Sequence, residues 1–126
     1  MAKILLVDYD PLQACLRKSI LERRFDEVER VSDAAEALCL VEQPHFADRL
    51  GLVISGHHMQ GIGGPAFVAE LLLRLPGLPV LVLGDTDEAA GDYAGEGVRF
   101  LSRPNNGEQL LSLASQMVRQ GEPQTA

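Results

Sequence analysis

The chain has 126 residues, with 11 Lys and Arg against 18 Asp and Glu, for a formal net charge of -7. At 46% hydrophobic and 23% charged it can build a core, which excludes a disordered tail, and its length fits one domain, expected over 1–120 with a flexible tail at 121–126. No apolar run approaches the roughly 18 residues that a membrane helix needs. The acidic balance, two Tyr, four Phe and no Trp argue against direct binding of nucleic acid.

The chain opens Met1-Ala2-Lys3-Ile4-Leu5-Leu6-Val7-Asp8. An acid directly after a short apolar run does not suit a signal peptide, so a cytoplasmic protein is expected. Ile4 to Val7 is a continuous apolar run, the pattern of a strand buried on both faces. Asp10-Pro11 supplies an N-cap and a first-turn proline. Leu12, Cys15, Leu16 and Ile20 then follow at helical spacing and predict a stripe facing the core. Glu27 to Val31 reads as a weak edge strand.

Asp33-Ala34-Ala35-Glu36 fits a capping box, and Ala34, Ala37, Leu38 and Val41 predict the next stripe. Leu52-Val53-Ile54 is a third strand, followed by a turn-rich stretch from Ser55 to Gly64. Pro65 opens a helix with an apolar face of Phe67, Val68, Leu71, Leu72 and Leu75. Pro79 to Leu83 reads as a fourth strand and Thr86 to Ala94 as a poor helix carrying Gly91. Val98 to Leu101 is a fifth strand, and Leu110, Leu113, Ala114, Met117 and Val118 mark a last helix. Cys15 and Cys39 both sit in helical patterns outside any C-x-x-C pair and are expected as buried free thiols.

Strands alternating with helices predict an α/β fold, a doubly wound five-stranded parallel sheet. Ligands of such folds sit beyond the carboxyl ends of the strands, here Asp8, Ser55-Gly56, Gly84-Asp85 and Ser102-Arg103. Ile4 to Asp8, Val53-Ile54-Ser55 with Met59 and Gly64 after it, Leu78-Pro79-Val80, and Phe100 to Pro104 occur in an order and spacing that resemble one family. It is the receiver domains of two-component response regulators, with a flavodoxin-like (βα)5 fold and strand order 2-1-3-4-5. The resemblance runs from Lys3 to about Val118. It implies a phosphoryl group taken from a histidine kinase onto an aspartate at the end of the third strand. It also implies Mg²⁺ held by acids at the end of the first, a hydroxyl on the fourth and a lysine on the fifth. Metal and cation neutralise the charge of the displacement.

The sequence departs from that pattern at its working positions. Asp8 keeps the first acid of the pair, but Tyr9 stands at the second, with Asp10 beyond it. Gly56 stands at the acceptor position and has no side chain to act as nucleophile. Gly84 stands at the hydroxyl position and Arg103 at the lysine position, followed by the family's proline at Pro104. Phe100 holds the aromatic switch position on the fifth strand. Asp48 lies at the wrong end of the sheet to replace the acceptor, and Ser55 points to the other face. The resemblance therefore implies a pseudo-receiver without catalytic residues, with Mg²⁺ binding weak or absent. An ion pair between Asp8 and Arg103 is expected to replace metal and phosphate.

Other readings of the same residues are weaker. His57 and His58 beside Asp8 and Asp10 do not offer a third ligand at helical spacing, so no metal is assigned to them. Gly61-Ile62-Gly63-Gly64 lacks the spacing of a phosphate loop. No arrangement for nucleophilic or acid–base catalysis stands out, and an enzyme is not expected. The expected function is binding of a signalling protein, a histidine kinase or an output protein, by a monomer or homodimer. The surface implied by the resemblance is formed by the predicted fourth helix, the fifth strand and the last helix. It carries Asp87, Glu88, Asp92, Tyr93, Glu96 and Arg99. The alternative is a flavodoxin-like domain that binds a small ligand or catalyses a reaction unrelated to phosphorelay.

Overall fold

The structure is a computed structural model that describes residues 2–57, 61–84, 93, 97–102 and 106–121. Five parallel strands form one sheet: β1 (Lys3–Val7), β2 (Val28–Val31), β3 (Leu50–Gly56), β4 (Val80–Gly84) and β5 (Val98–Ser102). Their order is β2-β1-β3-β4-β5, as the sequence predicts. The register pairs Val7 with both Val31 and Ser55, Gly56 with Leu83, and Gly84 with Ser102. The carboxyl ends of neighbouring strands are thereby brought level along one edge of the sheet.

Helices α1 (Pro11–Leu21), α2 (Ala34–Val41), α3 (Pro44–Arg49), α4 (Gly64–Arg74) and α5 (Gly107–Gly121) complete the described elements. Alternate strand residues point to opposite faces, which divides the core in two. Leu5, Val7, Val53, Val80 and Val82 pack with Ala37 and Val41 of α2, Phe46 of α3, and Phe67, Val68 and Leu71 of α4. Ile4, Leu6, Leu52, Ile54, Leu81 and Leu83 pack with Leu21 of α1 and with Leu110, Leu111, Ala114, Met117 and Val118 of α5. Burial on both faces explains why β1, β3 and β4 read as unbroken apolar runs.

Several expectations are corrected. Of the stripe predicted on the first helix, Ile20 alone packs against the core. Leu12 and Leu16 are 84% and 63% exposed, and the helix buries Ala14 and Leu21 instead. Cys15 and Cys39 are free, as expected, but both are exposed rather than buried. β3 begins two residues earlier than predicted, at Leu50. The short helix α3 was not predicted, because six residues are too few to show a period; Pro44 starts it, Phe46 is buried, and Lys3 Nζ sits 5.0 Å from the Phe46 ring centroid. The last helix continues to Gly121, while 122–126 and the helix expected over Thr86 to Ala94 lie outside the described residues.

Candidate functional site

Asp8 follows β1 directly and is buried, with 5% of its surface exposed. A buried carboxylate needs partners for its charge and its lone pairs. The Arg17 guanidinium on α1 donates from Nη1 to Asp8 Oδ2 at 2.6 Å, and the Asp10 N–H donates to Oδ1 at 3.0 Å. The Asp8 N–H donates to the Val31 carbonyl at 3.1 Å. Arg30 on β2 donates from Nε and Nη2 to the Asp8 carbonyl, at 3.0 and 2.7 Å. Every polar atom of Asp8 is thus held, two of them by arginines.

Arg17 reaches Asp8 because of the helix phase. Ala14, Arg17 and Leu21 lie three and four residues apart, on one face, and that face turns toward the sheet. Arg103, the residue expected to pair with Asp8, lies outside the described residues, as does Pro104. The partner seen on the Asp8 carboxylate is Arg17. Neither Arg17 nor Arg30 was singled out from the sequence. The available signal was a cation on the helix face one turn after Ala14 and one turn before Leu21.

Asp10 caps α1 as predicted, its Oδ1 accepting from the N–H groups of Leu12 and Gln13 at 3.0 and 3.3 Å. Tyr9 is 47% exposed. The resemblance implies Mg²⁺ at this end of the sheet, a hard cation that prefers carboxylate and other oxygen ligands. Here one Asp8 oxygen is taken by a guanidinium and the other by a backbone N–H, and one Asp10 oxygen caps a helix. Among the described residues no group of three or more His, Cys, Asp or Glu is placed to hold a metal ion. This donor set does not fit a divalent cation.

Gly56 ends β3, and the chain turns at His57, whose N–H donates to the Leu83 carbonyl at 2.9 Å. The loop closes where the Gly64 N–H donates to the His57 carbonyl at 3.2 Å. His57 is half-buried; its Nδ1 is hydrogen-bonded to the Tyr93 hydroxyl at 2.7 Å. The His57 ring stands edge-on to Tyr93 and to Phe100, with centroids 5.7 and 6.3 Å away. Tyr93 and Phe100 are 6.0 Å apart, and both pack against the core.

Two glycines admit these rings. A Cβ on Gly84 would lie 2.9 and 3.1 Å from Phe100 Cε2 and Cε1 and nearer still to Cζ, so the ring tip rests on the Gly84 backbone. A Cβ on Gly64 would overlap the Tyr93 hydroxyl and come within 2.7 Å of the His57 carbonyl oxygen. Tyr93, assigned to the outer face from the sequence, is instead half-buried with its hydroxyl turned in to His57 and Gly64. Arg99 is exposed on β5, as expected, while Asp87, Glu88, Asp92 and Glu96 lie outside the described residues, as does His58.

Compared with solved structures, the chain superposes on the signal receiver domain of a signal transduction histidine kinase from Syntrophus aciditrophicus. The TM-score is 0.83, at 24% identity, over 100% of this chain and 96% of that one. It also superposes on the receiver domain of the hybrid histidine kinase CckA, with a TM-score of 0.76 at 26% identity, over 93% and 99% of the two chains. The chain has the fold of a response-regulator receiver domain. No family model matches the sequence. A curated protein of Azotobacter vinelandii, described as a USG-1 protein homolog, is 34% identical over 111 residues; the match takes in 80% of this chain and 32% of that protein. The chain therefore spans about a third of the length of that relative. Within the receiver fold, the strand-end region is lined by Asp8 with its arginine, by the side-chain-free Gly56, and by Phe100 lying over Gly84.

Proposed function

We propose that this chain is a receiver-type signalling domain whose output does not depend on phosphorylation, and that it works in the cytoplasm by binding another protein. It is not an enzyme on this reading. The observation that carries the proposal is Gly56 at the end of β3. Phosphoryl transfer to a receiver needs a carboxylate nucleophile there, and nearby charge to stabilise the equatorial oxygens of the transferring group. A glycine supplies no nucleophile, and a glycine at 84 supplies no hydroxyl.

The partner would be a signalling protein, either a histidine kinase that contacts the domain without transferring phosphate or an output protein. The exposed Arg99 of β5 is one described member of the proposed contact face. Intact mass after incubation with Mg²⁺ and acetyl phosphate tests the reading. The expected result is an unchanged mass. A hydroxylamine-sensitive phosphoryl adduct would reveal an acceptor elsewhere and overturn it.

A further inference from the structure

We infer that Arg17 is the resident counter-ion of Asp8, standing in for a metal ion, so that the Asp8 carboxylate is already neutralised and the protein does not respond to divalent cations. The inference deepens the receiver reading proposed above. Its test involves no phosphoryl transfer, so the two can fail separately.

Three observations combine. First, Asp8 is buried, and its carboxylate is closed on both oxygens, by Arg17 Nη1 and by the Asp10 N–H. A cation approaching Oδ2 would have to displace a charge-assisted hydrogen bond of 2.6 Å. Second, Arg17 is itself largely covered, its side chain 20% exposed, so the pair is shielded from the screening that weakens surface ion pairs. Third, α1 turns Arg17 toward the sheet and leaves Leu12 and Leu16 in water. The same side of the helix buries Ala14 and Leu21, and Arg17 is the cation that it brings to the buried carboxylate.

A guanidinium differs from Mg²⁺ in one consequential respect: it is covalently part of the chain and its charge does not dissociate. The Asp8 region then has a fixed electrostatic state at any metal concentration. Arg30 strengthens this by holding the Asp8 carbonyl from β2 on the other side.

Thermal unfolding of the full chain, with and without millimolar Mg²⁺ and with NaCl at matched ionic strength, tests the inference. The wild-type Tm should be unchanged by Mg²⁺ beyond the NaCl control. Arg17→Ala should lower Tm by about 5 °C or more, because it leaves a buried carboxylate without its counter-ion. Mg²⁺, but not NaCl, should restore part of that loss. Adding Asp8→Asn to Arg17→Ala should recover stability and abolish the Mg²⁺ response, and this double variant keeps the test decisive if Arg17→Ala alone does not fold. Specific stabilisation of the wild type by Mg²⁺, an unchanged Tm in Arg17→Ala, or a double variant no more stable than the single one would each overturn the inference.

Discussion

Gly84 and Phe100 act as a pair. The ring tip lies where a Cβ at 84 would project, so the inward position of Phe100 and the absence of a side chain on β4 require each other. Gly84→Thr, which restores the hydroxyl that the resemblance implies, should therefore force the ring out or strain the end of β4. It should cost about 1–3 kcal/mol in chemical denaturation, in the range of overpacked cores. Combined with Phe100→Ala, the two losses should be clearly less than additive, as expected of residues in direct contact. Full additivity would mean that the ring and the glycine are independent. Tyr93→Phe removes the hydroxyl bonded to His57 and should cost about 0.5–1.5 kcal/mol in the same assay, whereas a purely exposed tyrosine would show almost nothing. The sequence has glycines at 84 and 56 where the resemblance implies functional groups, and a position in a motif can be checked one residue at a time. What fills the space beside them was not legible. It depends on rings from residues 93 and 100 meeting a histidine at 57, and contacts at that separation leave no local pattern.

At the scale of elements, α1 is the informative case. Its start was readable: Asp10 caps the helix and Pro11 occupies its first turn, both local in sequence. Asp10→Ala should cost about 1 kcal/mol by loss of that cap, measured by urea unfolding. Its phase departs from the one that apolar spacing predicts: Ile20 of that stripe meets the core, but Leu12 and Leu16 do not. The buried stripe carries Ala14, Arg17 and Leu21, since a helix beside a buried carboxylate must satisfy charge as well as hydrophobicity. Leu12→Gln and Leu16→Gln should therefore change stability by no more than about 0.5 kcal/mol. If Leu12 and Leu16 faced the core, each substitution would cost several times that. α2 shows the opposite outcome. There Asp33 Oδ1 accepts from the Glu36 N–H at 2.8 Å, Glu36 reaches back to the Ser32 N–H at 3.2 Å, and the predicted face of Ala34, Ala37 and Val41 is buried. With no ionic group to place, the apolar pattern alone set the helix's orientation.

Over the whole molecule, the sheet order and the two-sided core follow from strands that are apolar on both faces, a pattern that does not depend on which residues stand at the strand ends. Fold and function are separable here for a physical reason. The core contacts lie between the sheet and its covering helices, whereas the changed positions cluster at the carboxyl ends of the strands. Among the described residues at those ends, Arg17 pairs with Asp8 and Phe100 covers Gly84. With Asp8 already paired, Mg²⁺ and a phosphoryl group should not shift the domain's conformational equilibrium, because a ligand does so only through differential affinity for its states. The most direct measurement is an amide ¹H–¹⁵N spectrum recorded without additions and then with Mg²⁺ and beryllofluoride, a phosphoryl mimic. The account predicts superimposable spectra, with the resonances of Asp8, Gly56, Gly84 and Phe100 unmoved. Saturable shifts at those residues would show a working cation and phosphoryl site, and would contradict it.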